Sequence, residues 1–595
     1  MYPGNGRRAS GDGRAETAVA DRPGKAVAGM SSTRRRNQTM KPTVRTSRLF
    51  LVALLSASAA EASSAQDKGA PHLIRNPILR GFNPDPSILR VGDDYYIATS
   101  TFEWFPGVRI HHSRDLVHWR LLAHPLTRRS QLDMLGNPAS GGIWAPCLSF
   151  RDGVFYLVFT DVKNCSGGFV DAHNYLVTAK DITGPWSDPA YLNSSGFDPS
   201  LFHDEDGRTW LLNMTWNFRS NNKSGGIVLQ ELDLRTKSLV GKSTLIFRGT
   251  EAGGTEGPHI YRRGGYYHLM TAEGGTGYGH QVTMARSKTI TGPYELDPGN
   301  PILTSKTDAS LVLQKAGHAS LVQTQKGEWY LAYLCGRPLP GTKFCNLGRE
   351  TAIQPCFWNE AGWLRLDGGK NLPIAEAKAP NLPLYPFSRE PTKDDFDEPG
   401  LSLHFNTLRE PPEPSWLSLT ERPGHLRLRG RESLTSRFRQ SVVARRVQAF
   451  RCEAVTRVEF APENYQQMAG LLCSYDDRNW VYLRMSYDEE AGTNLAVLQE
   501  EKGKLDLGKP VMVEKDKAWF LKAVFDYGSL RFFYSTDGQE WRRIGGDYDA
   551  GKLSDDYCNG FTGTFVGMAV QDLGGARKHA DFDFFEYRER QDEER

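Results

Sequence analysis

One short sequence pattern recurs five times along the chain and constrains its fold more than any other feature. Each copy joins a turn to an aromatic strand, as in Asp85-Pro-Ser-Ile-Leu followed by Asp94-Tyr-Tyr-Ile-Ala-Thr. A period of roughly 50–60 residues built from short alternating strands is the size of one four-stranded propeller blade. The sequence therefore predicts a five-bladed β-propeller. The copies are marked by Asp85, Pro146, Asp198, Glu256 and His318, with spacings of 61, 52, 58 and 62 residues.

Three of these five repeat positions carry a carboxyl group. Equivalent positions of successive blades lie around one central axis, so Asp85, Asp198 and Glu256 are expected to meet at the mouth of the channel. A single Asp-Pro-Ser motif is more typical of a turn in which the Asp caps backbone N–H groups. Three acids at matching places in a repeat favour a chemical site.

Carboxyl groups in such a cluster can hydrolyse a glycosidic bond. One group donates a proton to the leaving oxygen, while another either activates water or attacks the sugar directly. A third carboxylate nearby raises the pKa of the acid, which then keeps its proton near neutrality. The spacing alone does not assign these roles among the three residues.

We place the repeats in residues 74–369. Beyond them the composition and the hydrophobic pattern of the sequence change twice. Residues 370–393 are Pro-rich and predict an extended linker. Further on, strands such as Trp480-Val-Tyr-Leu-Arg-Met alternate apolar and polar residues, and Asp537-Gly538 indicates a hairpin. Residues 394–590 therefore predict a β-sandwich. The expected fold is all-β, a five-bladed β-propeller followed by a β-sandwich domain.

The start of the chain has the layout of a secretory signal peptide. Basic residues from Met40 lead into the apolar run Leu49-Phe-Leu-Val-Ala-Leu-Leu, which is followed by small residues. We assign residues 40–65 to this peptide, with cleavage after Ala59 or Ala65. Residues 1–39 are interpreted as a disordered extension upstream of the true start at Met40. The mature protein is accordingly expected to be secreted and extracellular.

The overall charge is dominated by this N-terminal segment. The net charge of +3 includes a local excess of +7 over residues 1–65, so the remainder carries −4. Nucleic-acid binding needs a basic surface, and no other apolar run approaches membrane length. Neither a nucleic acid nor a membrane is therefore expected as a partner. Among the eight cysteines, Cys335 and Cys345 are the candidates for a local disulfide, although spacing does not fix the connectivity.

Seven motifs lie around the repeat positions: Gly81-Phe-Asn-Pro-Asp-Pro-Ser, Ser100-Thr-Phe-Glu-Trp-Phe-Pro-Gly, Gly141-Gly-Ile-Trp-Ala-Pro, Gly196-Phe-Asp-Pro-Ser-Leu-Phe, Thr255-Glu-Gly-Pro-His, Gly317-His-Ala-Ser and Leu347-Gly-Arg-Glu-Thr. Together they resemble glycoside hydrolase family 43, and in particular its two-domain β-xylosidases, over about residues 74–590. The resemblance implies an inverting mechanism. In it Asp85 would be the general base, Glu256 the general acid, and Asp198 the residue that orients Glu256 and raises its pKa.

The resemblance also implies a set of substrate-binding residues. Arg349 would bind sugar hydroxyls, and His318 would lie beneath the site, where relatives sometimes hold a calcium ion. From the residues alone, a buried and hydrogen-bonded histidine explains His318 equally well, and aromatic residues in strands usually belong to the core. No cofactor is expected to be required, and no metal ligand is assigned with certainty. The implied substrate contacts are Phe102, Trp144, Trp216, Thr276, His318, Arg349 and, from the sandwich domain, Phe561.

On this resemblance we expect an exo-acting, inverting β-1,4-xylosidase that releases xylose from the non-reducing end of xylo-oligosaccharides, with scope for an α-L-arabinofuranosidase side activity. Two alternatives stay open. The protein could be principally an α-L-arabinofuranosidase, since the two sugars present similar hydroxyls. It could also be a non-catalytic carbohydrate-binding protein, although the presence of all three acids argues against this. A homo-oligomer is left open as well.

Overall fold

The computed structural model describes residues 72–165, 167–221 and 223–590, and Ala70–Arg595 form one compact unit. The predicted N-terminal extension (1–39) and signal peptide (40–65) lie outside the described residues. Strands dominate the described part, whose helical elements are one short α-helix and one 3-10 turn. The prediction of an all-β protein is therefore confirmed.

Five antiparallel sheets form the blades of a β-propeller. The strands of this region are β1 (Leu73–Arg75), β2 (Ser87–Val91), β3 (Asp94–Thr99), β4 (Trp104–Phe105), β5 (Arg109–Ser113), β6 (Arg120–Ala123), β7 (Gly142–Arg151), β8 (Val154–Asn164), β9 (Asp171–Ala179), β10 (Ala190–Asn193), β11 (Ser200–His203), β12 (Thr209–Trp216), β13 (Ser224–Asp233), β14 (Ser238–Phe247), β15 (Glu256–Arg263), β16 (Tyr266–Glu273), β17 (Gln281–Ser287), β18 (Glu295–Leu296), β19 (Leu303–Thr304), β20 (Gln314–Gln323), β21 (Trp329–Gly336), β22 (Arg349–Trp358), β23 (Leu364–Leu366) and β24 (Glu376–Lys378).

The blades follow one another in chain order. Their sheets are β2-β3-β5-β6, β10-β9-β8-β7, β11-β12-β13-β14, β15-β16-β17-β18 with β19 on β17, and β20-β21-β22-β23. The first strands of neighbouring blades, β2, β7, β11, β15 and β20, contact each other in a closed ring. This ring surrounds the propeller axis, and each repeat position lies at or beside it. Apolar side chains fill the space between successive blades.

The Pro-rich segment after the last blade runs along the propeller. Within the predicted linker, β24 pairs antiparallel with β1, with Ile74 opposite Ala377. Both of these side chains are buried among residues of the first and last blades. The linker is therefore part of the folded surface where the propeller closes.

The C-terminal domain is a β-sandwich, as predicted. One sheet has the order β27-β28-β40-β30-β36-β37-β38 with β25 on β40, and the other has the order β29-β39-β31-β32-β33-β34 with β35 on β33; β26 lies outside both. The elements are β25 (Lys393–Asp394), β26 (Thr407–Leu408), β27 (Leu417–Ser418), β28 (Leu426–Arg429), β29 (Ser441–Arg446), β30 (Arg451–Glu459), β31 (Gln467–Asp476), β32 (Asn479–Asp488), β33 (Gly492–Glu501), β34 (Lys504–Asp506), β35 (Val511–Met512), β36 (Trp519–Asp526), β37 (Ser529–Ser535), β38 (Arg542–Asp549), a 3-10 turn (Ala550–Lys552), α1 (Asp555–Cys558), β39 (Phe565–Asp572) and β40 (His579–Glu589).

The two domains are joined by backbone pairing, aromatic packing and buried ion pairs. Strand β26 pairs with β4 of the propeller, and the Trp104 and Phe565 rings stack with their centroids 3.7 Å apart. The buried Lys315 ammonium lies 3.1 Å from Asp555 and 2.8 Å from Asp556 at the start of α1. These contacts fix the loop after α1 against the propeller axis.

The eight cysteines are all free thiols in the structure, so the disulfide expected between Cys335 and Cys345 is not formed. Cys345 instead lies 3.8 Å from the Tyr278 hydroxyl. Within the described residues, no helix is long and apolar enough to cross a membrane.

Candidate active site

The repeat positions share an unusual backbone conformation. Asp85, Asp198 and His318 have φ angles of 57°, 55° and 41°, in the left-handed region that non-glycine residues seldom adopt. Asp, Asn and His tolerate this region better than most residues, and strained backbone of this kind clusters at functional sites. In these three blades the backbone thus turns sharply at the repeat position, at or beside the inner strand.

Asp85 lies just before β2 and is held as a carboxylate. The Ser100 hydroxyl donates to its Oδ2 at 2.6 Å, and Arg349 Nη1 donates to its Oδ1 at 3.2 Å. Ser100 is itself fixed, because its Oγ accepts the Ala145 N–H at 2.8 Å. Burial alone would raise the pKa of Asp85, but Arg349, His318 and Ser100 outweigh it and hold the pKa below its usual value.

Asp198 and Glu256 lie on neighbouring blades and are joined through one glycine. The Gly257 N–H donates to Asp198 Oδ2 at 3.0 Å. Gly257 has a φ of 56°, and a Cβ there would lie 3.0 Å from the His318 ring. Only glycine therefore lets the chain after Glu256 turn this N–H toward Asp198 and pack the imidazole against it.

The Asp198 and Glu256 carboxyls behave as a coupled pair. Burial and the Asp85 charge raise the pKa of Glu256 to about 7, although Arg349 opposes the shift. Burial, then the charges of Glu256 and Asp85, raise the pKa of Asp198 well above its usual value. Two like charges this close are unfavourable, so the pair keeps a proton near neutral pH while Asp85 stays ionised.

Aromatic side chains surround these acids. Phe102 and Phe561 stack with ring centroids 6.1 Å apart, and the Trp144 ring meets Phe561 edge-on at 5.5 Å. The cavity has a volume of about 300 Å³, at the small end of ligand pockets. It brings together all ten residues selected from the sequence. Its lining is Asp85, Phe102, Trp144, Cys165, Gly167, Val170, Phe197, Asp198, Trp216, Glu256, Gly275, Thr276, His318, Arg349 and Phe561.

Phe561 reaches the propeller site from the sandwich domain, on the loop between α1 and β39. Its backbone N–H donates to Ser140 Oγ at 2.9 Å, and its carbonyl accepts from Arg349 Nη2 at 3.1 Å. The same guanidinium binds Asp85 and lies over the Phe561 ring at 5.5 Å. Arg349 therefore couples the sandwich loop to the acidic centre.

Sequence analysis did not select five of the lining residues. Phe197 directly precedes Asp198 in the Gly-Phe-Asp-Pro motif, and its ring packs on Trp144 at 5.2 Å. Its position beside a selected acid could have identified it. The other four lie in two loops: Cys165, Gly167 and Val170 between β8 and β9, and Gly275 between β16 and β17. No sequence motif indicates that these loops reach the propeller axis.

The surroundings of His318 were tested for the calcium ion that the resemblance allows. His318 Nδ1 lies 3.8 Å from Asp85 Oδ1, and its other close neighbours include the Gly257 backbone and Arg349. Calcium takes about 6–8 oxygen ligands, which these groups do not supply. Across the described ranges, no group of three or more His, Cys, Asp or Glu side chains could hold a metal ion. These protein groups alone therefore do not form a calcium site.

Paired carboxyl groups at an aromatic-walled pocket have the chemistry that glycoside hydrolysis needs. Comparison with protein families matches residues 74–364 to "Glycosyl hydrolases family 43" and residues 393–588 to "Beta xylosidase C-terminal Concanavalin A-like domain". The chain belongs to glycoside hydrolase family 43.

Similar proteins match along nearly their whole length. A "Beta-xylosidase" of Bacillus subtilis is 51% identical over 533 residues, which cover 87% of this chain and all of the relative. A "Xylosidase/arabinosidase 43B" of Humicola insolens is 49% identical, over 87% of this chain and 97% of the relative. The solved structure of xylan beta-1,4-xylosidase from Bacillus halodurans has a TM-score of 0.85 and 59% identity, over 87% of this chain and all of that one.

Proposed function

We propose that the protein is a secreted, exo-acting, inverting β-1,4-xylosidase that releases xylose from the non-reducing end of xylo-oligosaccharides. The observation that carries this proposal is the closure of a small acidic pocket by Phe561. The similarity to a β-xylosidase and to a xylan β-1,4-xylosidase supports xylose as the sugar. The proposal assigns Asp85 as general base, Glu256 as general acid and Asp198 as the partner of Glu256.

The geometry supports these roles in the following way. Asp85 is ionised and hydrogen-bonded on both oxygens, so it can orient a water molecule and accept its proton. Glu256 has a pKa raised to about 7 and keeps part of its surface open to the pocket, so it can protonate the leaving oxygen. Asp198, fixed by the Gly257 N–H, shares the proton with Glu256 and holds it near the reaction centre.

The walls of the pocket support exo-action. Phe561 and Phe102 form one side, while Trp144 and Trp216 are each fixed by an indole N–H bonded to a backbone carbonyl, at 2.8 and 3.0 Å. Such rings can stack on the apolar faces of a sugar. A volume of about 300 Å³ suits a terminal sugar better than the interior of a polymer.

The proposal is tested by the products and by the substrate panel. Proton NMR during hydrolysis of an aryl β-xyloside, whose only sugar is the xylose that is cleaved, should show α-xylose first, since inversion delivers water to the opposite face. Parallel assays use β-1,3-xylobiose, an aryl α-L-arabinofuranoside and long xylan. Initial release of β-xylose would contradict inversion, and internal cutting of xylan would contradict exo-action.

A principal α-L-arabinofuranosidase is the second candidate, favoured by the relative named for both activities. It predicts a higher kcat/KM on the arabinofuranoside than on the matched aryl β-xyloside. Absence of turnover on every glycoside, with binding of xylobiose retained, would instead indicate a carbohydrate-binding protein.

The pH dependence of kcat/KM follows from the pKa shifts. Asp85 must be ionised, and its lowered pKa keeps it so down to acidic pH. Glu256 must be protonated, and its proton is lost as pH rises through about 7. We expect kcat/KM on xylobiose to be level through mildly acidic pH and to fall about tenfold per pH unit well above that value. A profile that rises from pH 6 to 9 would contradict the assignment.

Phe561→Ala is expected to lower kcat/KM by opening the pocket while leaving the fold intact. It removes one aromatic wall but keeps both backbone hydrogen bonds of residue 561. We expect kcat/KM on xylobiose to fall about 10–100-fold, the range for losing a buried aromatic contact, with a melting temperature near that of wild type. Phe357→Ala, which removes an exposed ring on β22, is the matched control. Wild-type kinetics for Phe561→Ala would contradict the closed pocket.

Secretion is proposed on the N-terminal sequence alone. The mature N-terminus is expected at residues 60–66, and nothing upstream of Met40 should be present. N-terminal sequencing of the protein exported by its native host checks this. An exported protein that still carried residues 1–39 would contradict it.

A further inference from the structure

A second cavity, which we call the interdomain cavity, lies between the propeller and the sandwich. Its volume is about 560 Å³. Blade strands β5 and β6 form one side, and the linker and the sandwich form the other. None of its lining residues belongs to the active-site pocket.

Arg109 of β5 faces this cavity as a buried charge without a partner. It is only 1% exposed, and its buried Nε has no hydrogen-bond partner. Within the described ranges its guanidinium has no ion pair, and only the charge of Glu390 opposes the lowering of its pKa. Two residues along the same face of the strand, His111 is also buried, and its Nδ1 has no partner. The propeller side of the cavity therefore presents an unsatisfied guanidinium donor and an unpaired imidazole nitrogen.

The sandwich contributes a second guanidinium. Arg445 of β29 lies over the Tyr587 ring at 4.3 Å and makes one side-chain hydrogen bond, from Nη2 to Gln448 at 3.2 Å. Its Nε is buried and has no partner. The charges of Arg445 and Arg109 act on each other, and after burial this repulsion is the next cause that lowers the pKa of Arg109, to about 9.

The acids that line the cavity are already engaged. Glu589 forms an ion pair with Arg80 at 2.7 Å, and Glu390 is hydrogen-bonded to His404. Neither forms an ion pair with Arg109 or Arg445, although the charge of Glu390 acts on both arginines and that of Glu589 acts on Arg445. Burial outweighs these charges, and the pKa values of both arginines are lowered. Burying a guanidinium without a counter-charge is costly. The cavity thus has an excess of positive charge and of unused N–H donors.

We propose that the interdomain cavity binds a small oxyanion, a phosphate or a carboxylate, between Arg109 and Arg445. Guanidinium groups bind both kinds of anion through paired, charge-assisted hydrogen bonds. Because the two arginines belong to different domains, the bound anion stabilises the packing of the propeller against the sandwich. The site is separate from the pocket that holds the acids.

Inorganic phosphate and acetate are the probes. The melting temperature of the full-length protein is measured against each anion, with sodium chloride holding ionic strength constant. A ligand that binds only the folded state raises the melting temperature in a saturable way, and we expect a rise of about 2–5 °C. Arg109→Met should abolish the saturable rise, and its melting temperature without anion should equal or exceed that of wild type, because an unpaired buried charge is removed.

Two further variants complete the test. Arg445→Met removes the opposite side of the site and should also abolish the saturable rise. Arg208→Met removes a guanidinium from the protein surface and should respond as wild type does. Phosphate also stabilises proteins generally by exclusion from their surface. An equal response of wild type and Arg109→Met to both anions would therefore overturn the proposal, as would absence of phosphate and acetate binding to wild type in calorimetric titrations. A response to one probe alone identifies which oxyanion the site takes.

Discussion

Asp85→Asn is expected to lower kcat on every substrate, by about 10²–10⁴-fold. The amide keeps the shape of the side chain but cannot accept a proton from water. Activation of water precedes or accompanies cleavage whatever the leaving group is, so nitrophenyl xyloside and xylobiose should lose activity to the same extent. The measurement is kcat on both substrates, with folding checked by the melting temperature.

Chemical rescue separates a lost base from a disturbed pocket. Azide attacks as an anion and needs no general base, so added azide should restore turnover of nitrophenyl xyloside by Asp85→Asn and give a xylosyl azide. Asp233→Asn, at the end of an outer strand, is the control and should behave as wild type. If Asp85→Asn lost activity on xylobiose alone, Asp85 would be acting as the acid.

The sequence was sufficient to predict the architecture because the architecture is repetitive. A pattern that returns with nearly constant spacing needs no knowledge of long-range contacts to indicate blades, and symmetry then places Asp85, Asp198 and Glu256 at one axis. The alternation in segments such as Trp480–Met485 likewise indicates a sandwich, since period-two burial is a local property. The repeat also predicts that His318 lies at the axis, although the chemistry of the site gives no reason to expect a histidine there.

Other features of the site depend on contacts that local patterns do not contain. Phe561 closes the pocket only because Lys315, Asp555 and Asp556 fix the preceding helix against the propeller. The approach of Val170 depends on how the β8–β9 loop folds over the axis. The pKa shifts of the acids also depend on such contacts: burial and then the Asp85 charge raise the pKa of Glu256, and burial and the charges of Glu256 and Asp85 raise that of Asp198. Unpaired Arg109 is visible only once two domains enclose it.

Glu256→Ala is expected to separate substrates according to their leaving groups. The reducing-end xylose of xylobiose leaves as an alkoxide unless its oxygen is protonated, so kcat/KM on xylobiose should fall by about 10²–10⁴-fold. Nitrophenolate is stable without a proton, so the loss on nitrophenyl xyloside should be about tenfold or less. The measurement is the ratio of variant to wild-type kcat/KM on xylobiose, compared with the same ratio on nitrophenyl xyloside.

The pH profile of Glu256→Ala on nitrophenyl xyloside provides an independent check. If the decline of kcat/KM above neutrality comes from the proton that Glu256 loses at about 7, this limb should disappear from the variant, because the residue that titrates is absent. The acidic limb should persist, since Asp85 must still be ionised. Glu251→Ala removes an exposed carboxylate from the loop before β15. This control should keep both limbs of the pH profile and wild-type kcat/KM on xylobiose and on nitrophenyl xyloside. The contrary result would be equal losses of kcat/KM on xylobiose and nitrophenyl xyloside, with the alkaline limb of the pH profile retained. Glu256 would then support the pocket without donating the proton, and the acid would have to be its partner, Asp198.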